Sequence, residues 1–344
     1  MTFVASGPGL GEIVPEELGN QLGRAERPVN FVAKPSKGQK TSHGLRVLLF
    51  YPNMRGNTML PPVIAMFSAL LKERGFHVDL FDTTYYAVKG FSDDHDSDME
   101  DKVKRGNVLP FDFGEIGAIK QSDGYEDFLK KVEEFQPDLI AASCTEDMYL
   151  LGLSFLRYLR RHHNILTIMG GVFATFAPHI AISADEVDIV CVGEGEYALV
   201  ELCERLERGQ DYVNISNLWV KDRKKNIIRN PISVPVSMED NPLLDISIFE
   251  SNRLYRPMQG NVYRMLPVET HRGCPYTCTF CNSPSQNRLY AASTNENFFR
   301  KKRFDYVRKE LAYYRDVVKA EFLYFWADTF FAYSPSEFDE FVEL

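Results

Sequence analysis

The sequence predicts an α/β protein, a doubly wound Rossmann-like domain followed by the start of a second β/α domain. Three observations carry that prediction. Apolar runs of strand length alternate with stretches whose apolar residues recur at helical spacing, from residue 45 to residue 208. A stretch with four prolines and little periodicity, 231–260, then separates this series from a second one. The chain of 344 residues is also long for a single core, so two domains fit better than one. The expected organisation is an N-terminal arm (1–43), a Rossmann-like domain (44–212), a hairpin and linker (213–261) and an incomplete second domain (262–344).

The arm shows no basic segment leading into an apolar one, so no secretion signal is read in it. Residues 45–51 form an apolar run of strand length, closed by the breaker pair Pro52-Asn53. Val63, Ile64, Met66, Phe67, Leu70 and Leu71 follow at helical spacing, and Gly75 ends that helix before a second strand at 76–81. Periodicity is lost from 91 to 113, where the acidic run 93–101 reads as a solvated excursion. Its Asp94, Asp96 and Asp98 resemble half of a calcium loop, but Met99 and Arg105 stand where the turn glycine and the bidentate glutamate belong.

Tyr125, Phe128, Leu129, Val132 and Phe135 share a helical face, and a strand at 138–143 follows. Further helices are expected at 148–161, 178–184 and 197–208, with strands at 165–169 and 188–192 between them. The apolar run 165–184 is interrupted by Gly170-Gly171 and Pro178, so it is read as strand, turn and helix start; no membrane span is expected. In doubly wound sheets ligands sit beyond the carboxyl ends of the strands. The loops 52–62, 144–148, 170–173 and 193–196 should therefore share one edge, and they supply the candidate cofactor contacts Asn53, Cys144, Thr145, Gly170, Gly171, Val172, Gly193, Glu194, Gly195 and Glu196. Residues 218–228 read as a hairpin with a basic, solvated tip.

Composition narrows the class. With 44% hydrophobic and 25% charged residues the chain has a core, and a net charge of −9 disfavours a general nucleic-acid binder. Six cysteines are too few for a disulfide framework, and Cys274, Cys278 and Cys281 crowd into eight residues as C-x3-C-x2-C after an expected strand at 266–270. Cys144, Cys191 and Cys203 fall on elements of the first domain. A structural zinc site needs four protein ligands, which His271 could complete. Three thiolates on a four-iron cluster instead leave one iron open for chemistry. Nothing signals an oxidising compartment, so a cytoplasmic location is expected.

The run Arg-Gly-Cys-Pro-x-x-Cys-x-Phe-Cys at 272–281 resembles the cluster loop of radical S-adenosylmethionine enzymes. The strand ending in Tyr51-Pro52, the later Gly170-Gly171 and the Val-Gly-Glu-Gly-Glu at 192–196 resemble the cobalamin-binding domain of the B12-dependent branch, which includes class B methyltransferases and the anaerobic magnesium-protoporphyrin monomethyl ester cyclase. The resemblance implies a [4Fe-4S] cluster on Cys274, Cys278 and Cys281, S-adenosylmethionine chelated to the open iron, Phe280 near its adenine, and cobalamin over the strand-end loops. The D-x-H-x-x-G motif that supplies a lower cobalt ligand has only a partial match at 93–98, with Asp98 in place of glycine, so cobalamin is expected without a histidine ligand from this chain. It further implies a partial (β/α)6 barrel. Here only a helix on Phe304, Val307, Leu311, Tyr314 and Val318, a strand at 322–326 ending in Ala327-Asp328, and a helix start after Pro335 are found, so a fragment or truncated frame is expected. Asp328 is read either as a cofactor or substrate contact or as a loop cap, and Arg300-Lys301-Lys302-Arg303 as a solvated helix start.

The function so implied is a cobalamin-dependent radical enzyme, a methyltransferase acting on a small molecule or natural product, supplied with electrons by a flavodoxin or ferredoxin. The alternatives are a ring-forming or oxidative enzyme of the same family and a catalytically inert cobalamin-binding module.

Overall fold

The structure, a computed structural model, describes residues 44–54, 59–91, 116–222 and 224–344. The N-terminal arm, the acidic run 93–101 with its calcium-like and D-x-H patterns, and part of the first strand-end loop lie outside the described residues.

Five parallel strands build the first unit: β1 (Arg46–Tyr51), β2 (His77–Asp82), β3 (Leu139–Ser143), β4 (Leu166–Gly170) and β5 (Ile189–Cys191). Their order is β2-β1-β3-β4-β5, so the chain reverses direction of travel across the sheet between β1 and β3. That reversal opens a crevice at the carboxyl ends. The hairpin β6 (Leu218–Lys221) and β7 (Ile227–Arg229) adds two antiparallel strands beyond β5, so it completes the sheet.

Strand alternation sorts the core into two faces. Val47, Leu49, Leu139, Ala141, Ile168 and Ile189 point to one side, under the helices α1 (Pro62–Glu73) and α6 (Glu196–Glu207). Leu48, Phe50, Ile140, Ala142, Met169 and Val190 point to the other, under α2 (Gly124–Phe135), α3 (Glu146–Arg160) and the short α4 (Val172–Phe176) and α5 (Pro178–Ser183). Local chemistry starts and stops these helices. Pro62 opens α1, the Asp123 carboxylate accepts the Tyr125 and Glu126 amides at the start of α2, and Gly75 turns the chain out of α1 at φ +84°. On the second face Phe128 stacks between Phe50 and Phe81 at ring separations of 4.8 and 4.9 Å, with Phe155 at 5.8 Å.

The second unit is a three-stranded sheet, β12-β9-β8. The long strand β9 (Asn261–Glu269) pairs antiparallel with β8 (Tyr255–Met258) across a Gln259-Gly260 turn and parallel with β12 (Phe322–Trp326). Between β9 and β12 lie the small ladder β10 (His271–Arg272) with β11 (Arg300–Lys301), and the helices α7 (Ser283–Thr294) and α8 (Phe304–Tyr313); α9 (Pro335–Val342), boxed at its start by Ser334 and Glu337, follows β12. Leu266, Val268, Val307, Tyr314 and Val318 join the apolar cluster of α1 and α6, so this core face serves both units.

Two expectations are corrected. The proline-rich stretch 231–260 is no loose linker: its polar groups are tied down on both sides. Asp245 accepts bonds from Ser68 and Lys72 at 2.6 Å, Arg253 is buried in an ion pair with Asp82 at 2.8 Å, and Tyr313 donates to the Leu244 carbonyl. The basic run 300–303 is likewise no solvated helix start. Arg300 and Lys301 form β11, Lys302 is buried against Glu310 at 2.9 Å, and only Arg303 caps the helix. The helix α7 was not legible because it buries little beyond Ser283, Pro284 and Tyr290, too sparse a face to set a periodicity.

Phe128→Ala empties the centre of an aromatic cluster and is expected to cost about 3–5 kcal/mol in urea-monitored unfolding. A loss below about 1 kcal/mol would show that the cluster is not packed as described.

Candidate functional site

A cavity of about 690 Å³ lies beyond the carboxyl ends of β1, β3, β4 and β5, between the first sheet and the second unit. Small residues line its floor, Ala141, Ala142, Ser143, Gly170, Gly171 and Gly193. Leu60, Pro61, Val63, Met66 and Phe67 form one wall, and Met238, Asn241 and Leu244 of the former linker close the rim. All ten strand-end residues singled out in the sequence, from Asn53 to Glu196, line this one space. The rim residues were missed because nothing in an aperiodic proline-rich stretch marks which side faces a cavity.

The floor depends on backbone that only glycine adopts easily. At Gly171, φ +100°, a Cβ would stand 2.5 Å from the Cys144 carbonyl oxygen; at Gly193, φ +85°, it would stand 2.5 Å from the Tyr290 hydroxyl. That hydroxyl accepts the Glu194 amide at 2.7 Å, and Asn217, buried with φ +69°, donates to the Val192 and Glu194 carbonyls. Burial pushes the Cys144 and Cys191 thiols up to about 12, so both line the space as protonated, inert groups.

Across the cavity the loop after β9 is held by charge. Arg272 reaches Glu194 at 2.7 Å, Glu269 at 3.0 Å, and Glu196; Arg300 also pairs with Glu194. Glu194 accepts the Val236 amide at 2.7 Å as well. Burial alone would raise the Glu269 carboxyl and lower the Arg272 guanidinium, yet their mutual attraction reverses both shifts, leaving Glu269 below and Arg272 well above the ordinary range.

The three clustered cysteines sit above this network. Gly273, φ +80°, packs its backbone against Phe298 and Phe299, where a Cβ would come within 2.8 Å of a ring carbon. Cys274 is buried and its carbonyl accepts from Asn287 at 2.8 Å, whereas Cys278 and Cys281 are exposed. Three thiols in eight residues are the right donors for an iron–sulfur centre. Their sulfurs are nevertheless not drawn together, and among the described residues no group of three or more His, Cys, Asp or Glu side chains is arranged to hold a metal. Phe280 points outward, 92% exposed, and does not line the cavity. Asp328 does line it and accepts from Ser283 at 2.6 Å.

His271 is fully buried beside the Phe299 and Tyr333 rings, with Nδ1 2.9 Å from the Thr270 hydroxyl and Nε2 without a hydrogen-bond partner. Burial, reinforced by Lys301, lowers its pKa to about 4. Among the described cavity residues it is the only imidazole, and it belongs to the second unit. A broad, small-residue floor with apolar walls fits a large flat cofactor.

Residues 114–203 match the B12 binding domain family. An uncharacterized methyltransferase of Pyrococcus horikoshii is 26% identical over 180 residues, covering 50% of this chain and 37% of that protein. The anaerobic magnesium-protoporphyrin IX monomethyl ester cyclase of Cereibacter sphaeroides is 27% identical over 186 residues, 52% of this chain and 29% of that protein. The chain thus spans about a third of the length of these relatives. Among solved structures, the cobalamin-dependent S-adenosylmethionine radical enzyme OxsB with aqua-cobalamin and S-adenosylmethionine superposes with a TM-score of 0.58 at 20% identity, over 85% of this chain and 35% of that one. The radical S-adenosylmethionine methyltransferase TsrM from Kitasatospora setae gives 0.51 at 17% identity, over 78% and 45%. The chain thus matches a B12 binding domain over residues 114–203 and is similar over about half its length to a methyltransferase and to the anaerobic magnesium-protoporphyrin IX monomethyl ester cyclase, and in fold to cobalamin-dependent radical S-adenosylmethionine enzymes, as its motifs led one to expect. No described helix is long and apolar enough to cross a membrane.

Arg272→Met leaves Glu196 and Glu269 without a counter-charge and Glu194 with Arg300 alone, and is expected to destabilise the protein by about 3–5 kcal/mol, with Glu269→Gln in the same chain recovering part of the loss. Strictly additive losses in urea titrations would mean the charges do not act as one network. The His271 shift also fixes a sign. The unfolded chain takes up the proton near 6.5 and the folded chain only near 4, so this contribution to stability is complete above pH 6.5 and is lost as the pH falls toward 4. His271→Gln should flatten the dependence of the melting temperature on pH across that window, and an unchanged slope would refute the assignment.

Proposed function

We propose that this chain is the cofactor-binding portion of a cobalamin-dependent radical S-adenosylmethionine methyltransferase acting on a small-molecule substrate. The observation that carries the reading is a single cavity bounded on one side by four strand-end loops, three of them inside the segment that matches a B12 binding domain, and on the other by the loop leading into Cys274, Cys278 and Cys281. When bound, the [4Fe-4S] cluster would supply the electron that cleaves S-adenosylmethionine, and cobalamin would carry the methyl group.

The chain's own residues would bind, orient and exclude water. Gly170, Gly171 and Gly193 would let a corrin lie close to backbone, and the wall from Leu60 to Phe67 would shield its edge from solvent. Cys274, Cys278 and Cys281 would hold iron, leaving one position open to S-adenosylmethionine. Arg272, anchored to Glu194 and Glu196 of the corrin side, would fix the distance between the two cofactors. His271, neutral at physiological pH, would neither add charge nor compete as a base. Phe280 would have to swing inward to reach an adenine. Names of relatives support methyl transfer most often, while the cyclase among them keeps a ring-forming reaction as the second reading.

Anaerobic reconstitution with iron and sulfide is expected to load about four irons per chain, and the triple change of Cys274, Cys278 and Cys281 to Ala to abolish loading. Unchanged iron in the triple variant overturns the cluster assignment. With reductant, cobalamin and methyl-labelled S-adenosylmethionine, the methyltransferase reading expects both 5′-deoxyadenosine and label in the cobalamin fraction. Deoxyadenosine without transferred label would favour the ring-forming reading, and cobalamin binding with neither product would leave a binding module.

A further inference from the structure

We propose that Arg256 is an anion-recognition point on the inner wall of the cavity, taking a carboxylate or phosphate oxygen pair of the bound small molecule. The proposal rests on the cavity being the reaction site and adds the chemical class of what enters it.

The strand registers place the residue. Arg256 on β8 lies opposite Tyr263 on β9, and the parallel pairing of β9 with β12 sets Tyr324 beside Pro267 and Trp326 beside Glu269. Residues two apart on a strand share a face, so Arg256, Tyr324, Trp326 and Glu269 face the same way. Arg256, Trp326 and Glu269 all line the cavity. The guanidinium stands 5.8 Å from the Tyr324 ring centre, and the Tyr324 and Trp326 rings are 6.2 Å apart.

The charges around the cavity are otherwise matched. Glu194, Glu196 and Glu269 are met by Arg272, Glu310 by Lys302 at 2.9 Å, Asp328 by the Ser283 hydroxyl and Asp147 by that of Thr145. Arg256 alone among the described cavity cations makes no ion pair with a described carboxylate, and its Nε is buried without a hydrogen-bond partner. Its neighbour Arg253 is already bound to Asp82 and adds positive field rather than relief. Burial pulls the Arg256 pKa below the usual arginine range, the direction expected of a cation without a counter-charge. A guanidinium stays charged in proteins, so a partly buried one that meets Tyr324 but no carboxylate is costly until an anion arrives. Its planar fork matches the two oxygens of a carboxylate or phosphate, and Trp326, which lines the same space, offers aromatic surface to the rest of the molecule.

Such oxygens can come from the substrate or from the phosphodiester of cobalamin's nucleotide tail. Inorganic phosphate titrated into the full chain carrying Trp219→Phe, so that Trp326 is the reporting fluorophore, should give a saturable change. Arg256→Gln should weaken it about tenfold or more and Arg256→Lys by less, since lysine keeps the charge but loses the fork. Binding of aquacobalamin and of cobinamide, which lacks the phosphodiester, then separates the sources. Loss of cobalamin affinity alone in Arg256→Gln assigns the anion to the cofactor tail; unchanged binding of both assigns it to the substrate. If neither corrinoid binds while phosphate still depends on Arg256, the cobalamin reading falls and the anion site stands. An absent or Arg256-independent phosphate response overturns the proposal, and should Arg256→Gln fail to fold, an unweakened response in Arg256→Lys does the same.

Discussion

The arrangement of the cavity depends on one guanidinium. Arg272 sits on β10, just before the cysteine loop begins, and it is gripped by Glu269 at the end of β9 and by Glu194 and Glu196 where β5 passes into α6. Carboxylates this close would repel one another and resist burial if left to themselves; with the planar fork between them they become a clamp that is directional as well as attractive. The clamp joins the end of a strand in one sheet to the end of a strand in the other. Everything that faces the cavity, including the small floor, the buried imidazole and the start of the cysteine loop, takes its relative position from that joint.

Much of this was legible in the chain and some was not, for physical reasons. The central strands β1, β3 and β4 were readable because strands buried on both faces are apolar at nearly every position, and Phe50, Ile140 and Met169 leave little ambiguity, whereas the edge strand β2 keeps polar residues at His77, Asp79 and Asp82. The strand-end loops were readable as a set because doubly wound topology brings those ends together, whatever residues they carry. The pairing of Arg272 with Glu194 and Glu196 was not, since 76 and more residues separate the partners and no local pattern encodes a contact across two sheets. Lys302 looked solvated by its basic neighbours, although its counter-charge Glu310 stands two turns along the next helix. The antiparallel pairing that adds β6 and β7 to the first sheet, rather than leaving them as a separate hairpin, also depends on contacts distant in sequence.

The cysteines show two kinds of sulfur in one chain. Cys144, Cys191 and Cys203 are buried in the first unit, where desolvation holds the thiols protonated. Cys278 and Cys281 lie in solvent on a short loop with few backbone ties beyond the Cys281 amide on the Cys278 carbonyl. A loop of that kind can gather its sulfurs only when something pulls them together, whereas the preceding Gly273 is locked against Phe298. The described ties thus reach as far as Cys274, which is buried with its carbonyl held by Asn287, and thin out beyond it.

The apolar cluster under α1 and α6 continues without a break into Leu266, Val268, Val307 and Tyr314 of the second unit. A hinge between the units would have to bring those side chains into water, at roughly 1.5–3 kcal/mol for each large one. Widening of the cavity is therefore not a low-energy breathing mode but is thermodynamically akin to partial unfolding. The shared apolar cluster makes parting the two units costly, so the gap between their strand ends is expected to hold its width rather than act as a jaw.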